Sequence, residues 1–112
     1  MTKLFYSAKE GRWKELDGGG KRKIIHMDNL TVMALSVPRG TITDAAHKHA
    51  NEQAAVVISG RVKLFIGAES RILVAGEGYL VPPGVEHHIE ALEDTVLIDY
   101  FTPKRTDLKA TE

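Results

Sequence analysis

The chain has 112 residues, 15 basic and 15 acidic side chains, 43% apolar residues and no cysteine. That size and composition suit one ordinary domain with a real core and exclude a disordered chain. Disulfides, thiolate chemistry and cysteine-based zinc sites are excluded too, and a formal charge of zero gives no general attraction to nucleic acid or an anionic membrane.

From the start of the chain, residues 1–11 lack the apolar stretch of a signal peptide. No apolar run approaches the ~20 residues that span a bilayer. With no cysteine, this fits a cytoplasmic protein. Residues 8–16 show at most a weak helical turn, and Gly18-Gly19-Gly20 marks a loop. Lys21-Arg22-Lys23 is the densest basic spot; it reads as a solvated turn, the alternative being a phosphate or nucleic-acid contact. Alternation at period two predicts strands over 23–27, 30–37, 41–49, 54–59, 61–66, 71–74, 79–81, 87–90 and 95–101. Glycine and proline punctuate them, with a tight hairpin expected at Gly60 and a rigid bend at Pro82-Pro83-Gly84. Residues after Thr106 read as a frayed tail. So many short strands with no sustained 3.6-residue period predict an all-β fold, a closed barrel or double-sheet jelly roll. It forms a single domain with a core over 24–103, an arm over 1–23 and a tail over 104–112.

Histidines stand at 26, 47, 49, 87 and 88. On a strand, His47 and His49 would share a face, from which two imidazoles can converge on one ion. Gln53 follows just beyond a turn, and His87 lies directly after the proline–glycine bend. The alternative is a set of surface histidines on polar strand faces. His26 has no evident partner, and His88 would point away from His87. Glu52 competes with Gln53 as third ligand, being the carboxylate between His49 and Gly60. Three His and a Gln would be a neutral shell, leaving the ion a stronger Lewis acid. Zinc, nickel, iron, copper and manganese all suit imidazole to some degree, so one divalent transition metal ion is expected without its identity.

These residues resemble the two motifs of the cupins. Residues 40–60 match the first motif, with His47, His49 and Gln53 in ligand places. Gly76, Pro82, Gly84 and His87 match the second. One extra residue separates Gly40 from His47, Gln53 replaces the usual Glu, and Ala91 stands where many cupins carry Asn. The resemblance implies a cupin-type double-stranded β-helix.

Near the C-terminus, Asp99 and Phe101 share one strand face, and Arg105 follows Pro103. If that face is internal, Asp99 is desolvated and suited to moving a proton. Arg105 could grip a carboxylate in a bidentate fork. The alternative is an Asp99–Arg105 structural ion pair. Alternation leaves the inner face open, because Val96, Ile98 and Tyr100 are apolar as well. Trp13, the three glycines, Arg22-Lys23-Ile24, Gln53 and the run from Asp99 to Leu108 are similar to the KdgF-type small cupins of pectin and alginate breakdown. That resemblance implies a metal on three His and one Gln, a site including Asp99, Phe101 and Arg105, and a homodimer. The implied activity converts 4,5-unsaturated uronate monomers, small sugar acids, to linear keto sugars. Other readings are a non-catalytic sugar- or effector-binding cupin, a small metal-dependent dioxygenase, and a barrel whose metal is purely structural.

Overall fold

Apolar and β-branched side chains at alternate positions leave each strand one face to bury, and the chain solves this with two antiparallel sheets packed face to face. The structure is a computed structural model describing residues 4–7, 12–43 and 47–111. Its strands are β1 (Lys14–Glu15), β2 (Lys21–His26), β3 (Thr31–Val37), β4 (Glu52–Ser59), β5 (Arg61–Ile66), β6 (Glu69–Val74), β7 (Gly78–Val81), β8 (His87–Ala91) and β9 (Thr95–Thr102). The larger sheet runs β1-β2-β3-β9-β4-β7 and the smaller β6-β5-β8. Among the described residues the helical content is one short 3₁₀ turn, Asp17–Gly19, and no helix is long and apolar enough to cross a membrane. The expected all-β, double-sheet jelly roll is the observed architecture.

The inner faces of the two sheets meet in a core that includes Leu35, Val57, Val62, Leu64, Leu73, Ile89 and Leu97. Register decides what lies beside what. One row across the larger sheet reads His26, Thr31, Phe101, Gln53, Val81. The next reads Ile24, Met33, Asp99, Ala55, Tyr79, and the third Arg22, Leu35, Leu97, Val57. The inner face of β9 is therefore the one carrying Leu97, Asp99 and Phe101.

Several expectations change. No strand spans 41–49: Ile42 makes an isolated bridge to Glu90, residues 44–46 lie outside the described set, and residues 47–49 are irregular. Single backbone hydrogen bonds replace a ladder, from His87 N to His47 O at 2.9 Å and from Gly84 N to His49 O at 2.8 Å. Gly60 is a corner and not a hairpin, because β4 pairs with β7 and β9 while β5 pairs with β6 and β8. There φ is 93° and an added Cβ would meet the Asp94 carbonyl oxygen at 2.2 Å, so only glycine turns the chain between sheets. Lys21-Arg22-Lys23 is the start of β2, not a solvated turn. The weak turn expected over 8–16 lies partly outside the described residues, and Lys14–Glu15 is strand.

Nor is the C-terminal segment frayed. Leu108 is buried, and Thr111 N donates to the Ile24 carbonyl at 3.0 Å. His26, expected to have no partner, anchors this segment. Its Nε2 donates to the Leu108 carbonyl at 2.8 Å, so its Nδ1 accepts from the Thr31 hydroxyl at 2.8 Å. The same hydroxyl oxygen accepts the Arg105 amide at 2.9 Å.

Candidate metal centre

Three histidines from two separate stretches of chain converge at one end of the barrel. Ring centroids lie 5.3 Å apart for His47 and His49, 4.7 Å for His47 and His87, and 4.9 Å for His49 and His87. One ligand atom from each lies within 4.8 Å of the others, close enough to hold a metal ion. Convergence here does not come from a shared strand face. It comes from the hydrogen bonds that lash the irregular 47–49 segment to β8 and to the Pro82-Pro83-Gly84 bend.

The hydrogen bonding leaves acceptors facing one another. His87 Nδ1 donates to the Val85 carbonyl at 2.9 Å, so Nε2 carries a lone pair; it is buried and has no hydrogen-bond partner among the described residues. His49 Nδ1 donates to the Asn51 carbonyl at 3.0 Å, which turns the Nε2 lone pair toward Gln53 Oε1 at 2.9 Å. Gln53 cannot flip to relieve this contact, because its Nε2 donates to Asp99 Oδ1 at 2.8 Å. Opposed lone pairs at that distance repel unless a proton or a metal ion lies between them. The donor set therefore fits a divalent transition metal. Gln53 is buried on the inner face of β4, whereas Glu52 is exposed on the outer face.

Asp99 sits directly behind this cradle, 2% exposed. Gln53 Nε2 and the Tyr79 hydroxyl, at 2.9 Å, both donate to Oδ1, and Oδ2 makes no hydrogen bond among the described residues. Tyr79 reaches Asp99 across Ala55, which sits between them in the register and is small enough to leave room. Burial pushes the Asp99 carboxyl up to about 6, outweighing the opposite pull of Tyr79, Gln53 and Arg105. Burial, then the Asp99 charge, holds the Tyr79 hydroxyl well above its ordinary value, so it stays a donor. Burial likewise lowers the His87 imidazole, keeping it neutral and ligand-competent.

Phe101 is 1% exposed, edge-on to His49 at 5.3 Å, with the Arg105 guanidinium 4.8 Å above its ring. The Asp99–Arg105 ion pair does not form. Arg105 forks onto Asp107, Nε to Oδ1 at 3.2 Å and Nη2 to Oδ2 at 2.6 Å, which holds the Asp107 carboxyl below its ordinary value. His47, Gln53, His87, Asp99, Phe101 and Arg105 open on a cavity of about 230 Å³, which Arg22 and Tyr79 also line. That is smaller than the roughly 300–1,000 Å³ typical of drug-sized sites, so it suits a small, polar ligand.

The cupin domain family matches residues 33–100. This chain belongs to the cupin family. It is 40% identical over 101 residues to the pectin degradation protein KdgF of Dickeya dadantii (strain 3937), covering 88% of this chain and 91% of that one. The solved structure of KdgF from Halomonas sp. superposes with a TM-score of 0.88 at 30% identity, covering 95% and 98%. An RmlC-like cupin from Shewanella frigidimarina NCIMB 400 gives 0.88 at 25% identity, covering 95% and 96%.

Within this cupin, Tyr79 and Arg22 are two polar cavity-lining residues that the sequence alone does not mark as site residues. In the sequence Tyr79 is simply a strand residue, and its place just ahead of the ligand-bearing bend is the one signal of its role. Arg22 was hidden in a basic run. His88 takes no part in the three-histidine cluster; it stacks on Phe65, its cross-strand neighbour, at 4.3 Å with planes 2° apart.

Proposed function

We propose that this cupin converts 4,5-unsaturated uronate monomers to open-chain keto sugars. One observation carries the reading: a buried carboxylate, Asp99, is hydrogen-bonded to Gln53, which itself faces the three-histidine cluster, all in a cavity of monosaccharide scale. The relatives named for pectin degradation support the uronate class.

His47, His49, His87 and Gln53 Oε1 would hold the ion. All four are neutral, so it would supply strong Lewis acidity to a substrate oxygen that gains negative charge. The reaction is an isomerisation: a proton leaves the anomeric hydroxyl as the ring C–O bond breaks, and one is added at C4 as the enol becomes a ketone. Asp99 moves that proton through Oδ2, while Tyr79 and Gln53 fix Oδ1 and hold the carboxyl in place. Phe101 packs against the sugar ring. Arg105, half committed to Asp107, presents its remaining N–H groups to the substrate.

The test follows the absorbance of the unsaturated uronate. Metal-loaded protein removes it faster than the spontaneous reaction; equal rates would reject the proposal. Metal counting separates the ligands. Gln53→Ala lowers bound metal and Glu52→Ala does not, and the reverse would reject Gln53. A homodimer belongs to the same proposal. Leu80 and Tyr100 expose apolar surface on the outer face of the larger sheet, flanking Ala54 in register, and sedimentation reads the mass.

A further inference from the structure

Arg22 is the one basic side chain of its run that turns into the barrel. Its neighbours in β2 alternate outward: Lys21 and Lys23 place Nζ at 5.2 and 5.7 Å from the Trp13 ring centroid, and Lys23 also donates to the Ser7 carbonyl at 2.9 Å. Arg22 lies in register with Leu35 and through it with Leu97, both buried on the inner face. Its side chain lines the cavity. Its Nε is buried without a hydrogen-bond partner, and its guanidinium has no ion pair among the described residues.

Arg105 makes the contrast. It lines the same cavity, but two of its donors and its charge are already matched by Asp107 at 2.6 and 3.2 Å. With Nε and Nη2 on Asp107, the side-on fork of Arg105 is taken and its charge is already countered, so only its end-on N–H groups are left for a ligand. Arg22 has no partner on its fork among the described residues. A buried, unpaired charged donor is destabilising by itself, and an anion entering the cavity removes that penalty.

We infer that Arg22 is the specificity-determining residue that grips the carboxylate of a sugar-acid ligand. This rests on the uronate reading of the site. It assigns the acid end of the ligand to the β2 side of the cavity, away from the residues that would hold a metal. The sugar's hydroxyl end is then left to the three-histidine side.

The experiment is calorimetric titration of metal-loaded protein with D-galacturonate, which is saturated and unreactive, and with its neutral counterpart D-galactose. Wild type prefers galacturonate. Arg22→Gln weakens galacturonate binding about 10- to 100-fold, the loss of a charge-assisted two-point contact, and leaves galactose unchanged. Arg22→Lys, which keeps charge but not the fork, falls between, and serves alone if the Gln variant does not fold. Lys21→Gln, on the outer face of the same strand, matches wild type. Melting and metal content are read for every variant. Arg22→Gln holding galacturonate within twofold of wild type, or Arg22→Lys doing so where the Gln variant does not fold, overturns the inference, whether or not unsaturated uronate is turned over. Arg22-dependent galacturonate binding without turnover keeps the inference and rejects the reaction instead. If wild type binds no galacturonate, the inference falls, and the absorbance assay alone decides the reaction.

Discussion

The two ends of this barrel are built from the same strands and have opposite character. At the closed end β4, β8 and β9 bring Val57, Ala91 and Leu97 into an apolar core. One or two inward positions further along, the same strands bring Gln53, His87 and Asp99 to the cavity. Backbone geometry is shared, so the difference lies in side-chain chemistry at equivalent register positions. The apolar end supplies the burial that keeps the polar end dry and fixed. The polar end tolerates what the core does not: opposed lone pairs, an unpaired imidazole nitrogen and a desolvated carboxyl.

Breaking the polar end should cost function most. Asp99→Asn keeps shape and removes the proton carrier, lowering kcat for unsaturated uronate about a hundred- to ten-thousandfold. Circular dichroism should stay unchanged. Retained turnover would mean the proton travels elsewhere. Breaking the apolar end should cost stability instead. Leu97→Ala, at a fully buried position, destabilises by about 2–5 kcal/mol in chemical denaturation, while metal bound per folded molecule holds. If metal affinity collapsed as well, the two ends would not be separable.

Smaller changes probe the seam between the ends. Tyr79→Phe deletes one of the two hydrogen bonds to Asp99. It should cost about 1 kcal/mol of stability and a few-fold in kcat, checked on one preparation by denaturation and assay. The smallest effect belongs to the rim. Asp107→Asn breaks the fork onto Arg105, but the Asp107 side chain is 61% exposed, so the loss should stay under about 1 kcal/mol. Its pH dependence has a definite sign. Arg105 depresses the folded-state value below the ordinary 3.8, so the bridge stabilises above that pH and its contribution is lost as pH falls through the depressed value. Wild type and variant should therefore differ near neutrality and converge in acid.

Much of this organisation is legible in the chain. Period-two alternation broken by glycine and proline is a local property, and it located nearly every strand to within a residue or two. The exceptions are the two-residue β1 and the stretch 41–49, which alternates poorly and whose described residues, 41–43 and 47–49, are held by isolated hydrogen bonds. The three histidines were legible because two stand close together and the third follows a proline–glycine bend, features that survive without knowing the fold. Glu52 and Gln53 are rivals in the sequence, and direction separates them in the fold: adjacent residues on a strand face opposite sides.

The sequence by itself determined an all-β barrel, because alternation is local, and it marked His47, His49 and His87 as candidate ligands; their meeting at one point depends on hydrogen bonds between distant stretches. Only the tertiary structure decided that Asp99, and not Ile98 or Tyr100, faces inward. It alone paired Arg105 with Asp107, set Tyr79 against Asp99 across Ala55, docked the C-terminal segment on His26, and turned Arg22 into the cavity. The orientations of Asp99, Tyr79 and Arg22 rest on cross-strand register, and two faces of comparable apolarity carry no local mark of which will be buried.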